Sequence, residues 1–173
     1  MANKEPSQIS DETLLWGHPS VSQGFEFIHW STGSLGHGLP ACVGFAYAEK
    51  YLLGEASAAA VHSQAVDTSL VAHKGLDGDS GSAQVIAVIS DGEINEGSNW
   101  ESLMFAGHKR LNNLVVIVDY NKIQSYARCK EVMDLEPLVE KFKSFGFECK
   151  HVDGHSAAEI CREIRKARLK EKP

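Results

Sequence analysis

A carboxylate and an amide stand in this sequence where they could bind one divalent ion together. Asp91 follows a short apolar run, residues 85–89, and Asn121 follows a second one, residues 114–118. Neighbouring parallel strands end side by side, and ligands of open α/β sheets bind outside those carboxyl ends. Asp91, Asn121 and the backbone carbonyl of Ile123 would therefore offer oxygen atoms to one point, and oxygen ligands in that number suit magnesium.

A glycine beside the carboxylate indicates what such an ion would help to bind. Gly92 has no side chain, so a phosphate group could approach its backbone amide. A helix is predicted to follow, and a helix N-terminus favours negative charge. Magnesium in proteins commonly completes its coordination with water and phosphate oxygens. These residues therefore predict a diphosphate ligand.

One β–α–β unit must position these residues. The two apolar runs are rich in Val and Ile and have the length of strands buried on both faces. Ser98 and Glu101 form the S-x-x-E pattern that opens a helix between them. Apolar and small residues then recur at helical spacing, namely Trp100, Leu103, Met104 and Gly107. The pattern predicts parallel strands, with Gly107 allowing the helix to approach the sheet closely.

A glycine-rich stretch, residues 32–38, precedes another predicted helix. Pro40 lies in the first turn of this helix, which is expected to end near Gly54. Its expected core positions are Leu39, Val43 and Ala46. The order G-S-L-G-H-G differs from the G-x-G-x-x-G fingerprint of dinucleotide-binding proteins. A Rossmann dehydrogenase is therefore disfavoured.

The carboxy-terminal part predicts two helices and a short strand. One helix is expected to open at Asp134 and close at Gly146, with Leu138, Phe142 and Phe145 as its buried stripe. Residues 147–152 are predicted to form the strand. The last helix is opened by Ser156 and Glu159, and its expected inner residues are Ile160, Ile164 and Ala167.

Composition indicates an ordinary single domain. The chain has 173 residues, 43% hydrophobic and 23% charged, with a net charge of −6. That charge gives no basic surface for nucleic acid or an anionic membrane, and no apolar run approaches the roughly 18 residues of a membrane helix. Four cysteines without C-x-x-C spacing, and no secretory leader, predict reduced thiols and a cytoplasmic location.

Four segments, in order, resemble one enzyme family. They are S-T-G-S-L-G-H-G-L at residues 31–39, S-D-G-E-I-N-E-G-S-N-W-E at 90–101, V-D-Y-N-K-I-Q at 118–124 and V-D-G-H at 152–155. Asp91-Gly92 with the later Asn121 resembles the thiamine diphosphate motif, although Ser90 replaces its usual first glycine. Together the segments resemble the amino-terminal, diphosphate-binding half of transketolase, particularly the form split over two polypeptides. The resemblance implies an α/β three-layer sandwich around a mostly parallel sheet.

The same resemblance implies the role of each candidate residue. Asp91, Asn121 and the Ile123 carbonyl would hold magnesium, and thiamine diphosphate would be the cofactor. The Gly33 carbonyl would accept the 4′-amino group of the cofactor, and Leu35 would pack beside its rings. Gly92 would contact the diphosphate, and Asn121 is also expected to contact the cofactor. Glu96 is also expected among the cofactor-binding residues, and it would belong to a proton-sharing network between two active sites at a subunit interface. Within a Gly-His-Pro sequence, His18 would be a catalytic residue near the sugar hydroxyls.

Plain structural roles remain open for three of these residues. The Gly33 stretch also suits a simple turn entering a helix. Glu96 also suits a first-turn glutamate that complements the helix dipole. His18 is equally well explained as a turn histidine, since short motifs carry real false-positive risk.

The resemblance also implies how the chain is organised. Residues 1–16 are expected to be a polar segment, 17–173 the cofactor-binding domain, and 55–83 an inserted loop. Compared with the family, the domain is expected to be truncated at both ends and to lack the pyrimidine-binding half, whose glutamate assists cofactor activation. We therefore expect this chain to be inactive alone and to form an oligomer with a pyrimidine-binding C-terminal transketolase subunit. Together the two chains would transfer a two-carbon ketol unit between sugar phosphates.

Two other interpretations remain open at this point. The chain could be a component of another thiamine diphosphate enzyme, such as a deoxyxylulose-phosphate synthase or a 2-oxo acid dehydrogenase. The segment N-E-G-S-N-W-E and the Gly-His-Pro favour transketolase over these. The chain could also be a truncated homologue without catalytic activity, which the expected truncation favours.

Overall fold

The computed structural model describes residues 33–53, 84–167 and 169–173, together with the single residues 20, 22 and 31. These form, in order, α1 (Gly38–Ala48), β1 (Val85–Ser90), α2 (Gly97–His108), β2 (Leu114–Asp119), α3 (Cys129–Val132), α4 (Leu138–Ser144) and α5 (Ala157–Ala167). A π-helical turn, Glu49–Leu53, extends α1, and a 3-10 turn, Glu93–Asn95, precedes α2. The predicted insertion and the polar amino-terminal segment lie outside the described residues.

The two strands form a parallel pair joined by α2. Their register runs from Val85 opposite Leu114 to Ser90 opposite Asp119, so both strands end at the same level. The Asp91 N–H continues the pattern by donating to the Asp119 carbonyl at 3.1 Å. Both predicted strands, the parallel pairing and the α/β fold are therefore confirmed.

The core lies between β1, α1 and α2. Alternate β1 residues are buried, which are Val85, Ala87 and Ile89. On α1 the buried residues are Leu39, Val43 and Ala46, as the helical spacing predicted. The helical stretch continues to Leu53, one residue before the end predicted at Gly54. This core fixes the direction of β1 and hence the place where Asp91 emerges.

The start of α2 differs from the prediction. The helix begins at Gly97, with Glu96 as the preceding cap residue, and Ser98 lies inside it. The Ser98 hydroxyl donates to the Gly36 carbonyl at 2.7 Å, so it is not free to cap the helix. The prediction that Met104 lies on the buried face of the helix is also wrong, since 57% of this residue is exposed. The buried stripe consists of Asn99, Leu103 and Ala106.

Gly107 contacts a different element from the one predicted. A Cβ atom built on Gly107 would lie 1.7 Å from the carbonyl oxygen of Phe145, which follows α4. The missing side chain of Gly107 therefore allows the turn after α4, and not the sheet, to pack closely against α2.

The helix predicted from Asp134 begins later, at Leu138. Glu136 accounts for this start, because its Oε2 accepts the Leu138 N–H at 3.0 Å, while Asp134 Oδ1 accepts the Glu136 N–H. The predicted end is confirmed, since Gly146 follows the helix with a φ of +92°. Of the predicted stripe, Leu138 and Phe142 are buried and Phe145 is half-buried.

The strand predicted at residues 147–152 is absent from the described structure, where this stretch is irregular. Its first two backbone donors are used elsewhere: the Phe147 N–H donates to the Phe142 carbonyl and the Glu148 N–H to the Pro173 carbonyl. Phe147 is still buried, with its ring 5.9 Å from that of Phe142. The Phe147 side chain therefore packs into the core while the backbone does not join the sheet.

The last helix, α5, opens as predicted but is less buried than predicted. The Ser156 hydroxyl accepts the Glu159 N–H at 3.3 Å. The expected inner residues Ile160, Ile164 and Ala167 are half-buried, and no residue of α5 described by the structure is buried. Among the described residues, none of the helices has the length and apolar content needed to cross a membrane.

Replacing Glu136 with Gln should destabilise the domain in a pH-dependent way. The Leu138 N–H and the Tyr120 hydroxyl, which donates to Oε1 at 3.0 Å, lower the pKa of Glu136. Because the pKa of Glu136 is lower in the folded state than in the unfolded state, where it is about 4.3, the ionised carboxylate stabilises the fold at pH values above 4.3. This stabilisation is lost as the pH falls through the pKa of the folded state. The variant should have a Tm about 2–4 °C lower at pH 7, with a difference that shrinks towards pH 3. Thermal melts with an equal difference at both pH values would contradict this.

Candidate functional site

The Asp91 carboxylate joins the two loops that follow the strands. Asp91 is buried, with 2% of its surface exposed, although it lies directly beyond β1. Its Oδ2 accepts the Lys122 N–H at 2.9 Å and the Cys129 thiol at 3.1 Å. The carboxylate therefore contacts the residue next to Asn121, and the two strand ends meet at this point.

The loop after β2 has a constrained backbone. Lys122 has a φ of +67°, a conformation that is uncommon for residues other than glycine. In this conformation its N–H reaches Asp91, while its carbonyl accepts the Cys129 N–H at 3.0 Å. Asn121 Oδ1 accepts the Ile123 N–H at 2.8 Å. The backbone hydrogen bonds described by the structure leave the Ile123 carbonyl unused, so this oxygen is available to a ligand.

The glycine-rich loop is hydrogen-bonded to the segment that follows Asp91. The buried Gly36 donates its N–H to Glu93 Oε1 at 3.0 Å and accepts the Ser98 hydroxyl at its carbonyl. Gly33 and Leu35 lie in the same loop and are exposed, Leu35 by 55%. The structure therefore brings three sequence-distant segments together: the glycine-rich loop, the loop after β1, and the loop after β2.

Replacing Gly36 with Ala should loosen this arrangement. Gly36 has a φ of +76°, and an added Cβ would lie 2.5 Å from Ser98 Oγ and 2.7 Å from Glu96 Cβ. We expect a loss of about 2 kcal/mol in unfolding free energy, since a left-handed residue with a side chain alone costs roughly 1–2 kcal/mol. The measurement is urea unfolding, with Gly38→Ala as control, because no described atom lies within 4 Å of a Cβ there. Equal stability of the two variants would contradict the expectation.

The Gln124 side chain lies beside Gly92. A Cβ on Gly92 would lie 3.8 Å from both Cγ and Oε1 of Gln124, whose Oε1 accepts the Asn95 amide at 3.1 Å. Gln124 Nε2 is buried without an acceptor of normal geometry in the part of the chain that the structure describes. The same amide lies near the Cys129 thiol and partly opposes the rise in its pKa. The Gln124 side chain therefore lies between Gly92 and Cys129, with its buried donor on the side of Cys129.

Cys129 is a site residue that the sequence did not reveal. Burial raises the pKa of its thiol, and the hydrogen bond to Asp91 raises it further. The thiol is therefore protonated at neutral pH and acts as a donor to the carboxylate. No motif or spacing connects Cys129 with Asp91 in the sequence.

Glu93 was also missed by the sequence reasoning, and so was the hydrogen bond that Ser90 makes to it. Glu93 lies directly after the Asp91-Gly92 pair, which was the available indication that it belongs to the site. The Ser90 hydroxyl accepts the Glu93 N–H at 3.2 Å. The serine that replaces the motif's usual glycine thus stabilises the turn that carries Glu93.

The available atoms fit magnesium with a diphosphate better than they fit zinc. Among the described residues, no three His, Cys, Asp or Glu side chains cluster closely enough to hold a metal. An ion beside Asp91 would therefore use one carboxylate, neutral amide and carbonyl oxygens, and oxygens of its ligand, which is a usual arrangement for magnesium. Asn121 and Ile123 lie on either side of Lys122, whose N–H contacts Asp91, and their role as metal ligands stays a prediction.

The predicted roles of two further residues, His18 and Glu96, are not tested by the structure. His18 lies outside the described residues, so its catalytic role stays a prediction. Glu96 is exposed and precedes α2 as its cap residue, without a side-chain capping hydrogen bond. Its predicted role at a subunit interface stays a prediction as well.

Comparison with known proteins gives one consistent family. The family model described as transketolase, thiamine diphosphate binding domain, matches residues 7–173. The chain is 34% identical over 141 residues to 6-deoxy-6-sulfo-D-fructose transketolase subunit SqwG of Clostridium sp. (strain MSTE9), covering 82% of this chain and 42% of that protein. It is 31% identical over 169 residues to an apulose-4-phosphate transketolase subunit of Actinobacillus succinogenes, covering 97% of this chain and 51% of that protein.

Solved structures agree with the sequence comparison. Transketolase from Campylobacter jejuni has a TM-score of 0.67 at 28% identity and covers 91% of this chain. Transketolase from Leishmania mexicana has the same TM-score at 27% identity and covers 94% of this chain. The chain covers 21% and 22% of those two chains, and about half the length of the two related subunits.

Proposed function

Because the chain belongs to the transketolase family through its thiamine diphosphate binding domain, we propose that it is the diphosphate-binding subunit of a split transketolase. The proposed reaction transfers a two-carbon ketol unit from a ketose phosphate to an aldose phosphate. The observation that carries the proposal is the contact between the Asp91 carboxylate and the Lys122 N–H. This contact holds the acid next to Asn121, where both could reach one ion.

The metal and the diphosphate are assigned to the two strand-end loops. Asp91, the Asn121 amide oxygen and the Ile123 carbonyl would hold magnesium. The backbone of Gly92 would donate to diphosphate oxygens. Both loops follow paired strands, which supports a site whose groups would be positioned before the ligand arrives.

The glycine-rich loop is assigned to the rest of the cofactor. The Gly33 carbonyl would accept the 4′-amino group, and the exposed Leu35 would pack beside the rings. The hydrogen bonds of Gly36 to Glu93 and Ser98 hold this loop against the segment that follows Gly92, where the diphosphate would bind. When bound, thiamine diphosphate would supply the carbanion chemistry of ketol transfer, which is the cofactor's own.

A partner chain is part of the proposal. Two of the relatives are named as transketolase subunits. By the family resemblance, the partner would be a pyrimidine-binding C-terminal subunit that provides the glutamate for cofactor activation. Glu96 would take part in proton sharing between active sites of the oligomer, and His18 would contact the sugar phosphate.

Reconstitution with a pyrimidine-binding subunit tests this function. The chain is mixed with the partner, thiamine diphosphate and magnesium, and both ketol transfer between sugar phosphates and pyruvate decarboxylation are measured. We expect ketol transfer that needs both chains and is lost with Asp91→Ala. Decarboxylation without ketol transfer would assign the chain to another thiamine diphosphate enzyme, and no activity in a stable complex would contradict a catalytic role.

A further inference from the structure

Glu93 connects the loop after β1 with the glycine-rich loop. Its Oε1 accepts the Gly36 N–H at 3.0 Å, although the two residues are 57 positions apart in the sequence. Gly36 is buried, and a Cβ atom built on it would lie 2.7 Å from Glu96 Cβ, so the two segments pack directly against each other. The Gly36 N–H belongs to the peptide group that joins Leu35 to Gly36. The Glu93 carboxylate therefore fixes the orientation of the peptide group that follows the exposed Leu35.

The backbone of Glu93 is itself held on both sides. Ser90 Oγ accepts its N–H at 3.2 Å, and the Asn99 amide nitrogen donates to its carbonyl. Asn99 lies in the buried stripe of α2 with none of its surface exposed. Its Oδ1 has no hydrogen-bond partner among the described residues, so the amide is buried with only its donor group satisfied. The hydrogen bond to Glu93 accounts for a polar side chain at this position.

We propose that Glu93 is a positioning residue that holds the glycine-rich loop ready for the thiamine rings and thereby makes the site select thiamine diphosphate over inorganic diphosphate. This inference rests on the proposed function, in which Gly33 and Leu35 contact the rings and Gly92 contacts the diphosphate. In this role Glu93 acts through the loop and does not bind the cofactor itself.

Preorganisation is the physical reason for this selectivity. A loop that is already held in place loses little conformational entropy when a ligand binds, whereas a loop that must be ordered on binding lowers the affinity. Only a ligand with rings uses the glycine-rich loop, so only that ligand loses affinity when the loop is released. Inorganic diphosphate would bind with magnesium at the two strand-end loops. The backbone hydrogen bonds that join these loops to the paired strands do not involve the Glu93 carboxylate.

Calorimetry with two ligands tests the proposal without measuring activity. The full chain is titrated, in the presence of Mg²⁺, with thiamine diphosphate and separately with inorganic diphosphate, for the wild type, Glu93→Ala and Glu93→Gln. We expect the ratio of the two affinities to fall roughly tenfold in favour of inorganic diphosphate in the alanine variant. Glutamine keeps an oxygen acceptor for the Gly36 N–H, so that variant should retain the wild-type ratio.

The affinity ratio separates the role of the loop from the role of charge. Both substitutions remove a negative charge near the diphosphate, and that change affects the two ligands alike because both carry a diphosphate. An alanine variant with the wild-type ratio would overturn the proposal, and so would a glutamine variant that behaves like alanine. Glu140→Ala removes an exposed glutamate that pairs with Lys143 and should leave the ratio unchanged. Thermal melts confirm that each variant is folded.

Hydrogen exchange of the Gly36 amide, followed by NMR, tests the contact in the ligand-free chain. We expect exchange roughly tenfold faster in Glu93→Ala than in the wild type, because a hydrogen bond to a charged acceptor is lost. Glu93→Gln should exchange at a rate close to that of the wild type. Equal exchange in the wild type and the alanine variant would show that Glu93 does not hold the loop, and would overturn the proposal.

Asp91→Ala separates failure of this inference from failure of the proposed function. If the wild type binds neither ligand, or if Asp91→Ala binds both as the wild type does, the proposed function fails and this inference fails with it. If Asp91→Ala weakens the binding of both ligands while Glu93→Ala keeps the wild-type ratio, the proposed function stands and only this inference fails.

Discussion

Gly107→Ala is expected to lower the unfolding free energy by roughly 3 kcal/mol, the upper part of the range for overpacked sites. The added Cβ would lie 1.7 Å from the Phe145 carbonyl oxygen and 2.9 Å from its carbon. Both are backbone atoms, so no side-chain rotation can relieve the contact. The turn after α4 must therefore move away from α2, which also separates Trp100 from the rings of Phe142 and Phe145.

Chemical unfolding with a matched control measures this effect. Gly44→Ala also places an alanine inside a helix, but no described atom lies within 4 Å of its Cβ. Helix propensity alone should stabilise that variant by up to about 1 kcal/mol. We expect the unfolding free energy to fall in Gly107→Ala and to rise in Gly44→Ala. Equal unfolding free energies for the two variants would show that α2 and the Phe145 turn do not make this contact.

Asp91→Ala is expected to reduce magnesium-dependent binding of thiamine diphosphate by at least about 100-fold. Loss of a metal ligand should exceed the 10–100-fold typical of groups that only position ligands. The change also leaves the partly buried Lys122 N–H without its acceptor, at a cost of about 1 kcal/mol in stability. Calorimetry with the cofactor and Mg²⁺ measures the first effect and urea unfolding the second.

Asp91→Asn separates these two effects. Asparagine keeps the shape and an oxygen acceptor for the Lys122 N–H but removes the negative charge. The variant should therefore be more stable than the alanine variant while still binding the cofactor weakly. Wild-type heats of binding in either variant would remove Asp91 from the metal site.

Local patterns were sufficient to predict the elements that position the site. Runs of Val and Ile gave both strands, and helical spacing gave the buried face of α1. The meeting of the two strand ends followed from parallel pairing, and it is visible in the Asp91 contact with Lys122. These features depend on residues close in sequence or on a rule of sheet topology.

The missed features depend on contacts between residues far apart in sequence. Ser98 looked like a helix cap because its partner, Gly36, is distant, and the partner of Gly107 is likewise in another element. The thiol of Cys129 reaches Asp91 only because the loop after β2 turns at Lys122, a residue whose left-handed conformation its type does not suggest. Side-chain patterns also predicted a strand at 147–152 because they do not report where backbone donors are used.

The measurement that tests the central claim most directly is anomalous diffraction from crystals of the chain grown with thiamine diphosphate and Mn²⁺ in place of Mg²⁺. The account predicts one manganese peak at roughly 2.0–2.3 Å from a single carboxylate oxygen of Asp91, the Asn121 amide oxygen and the Ile123 carbonyl. A cofactor-bound structure with the ion elsewhere, or with Asp91 Oδ2 turned away from Lys122 to bind it, would contradict the account.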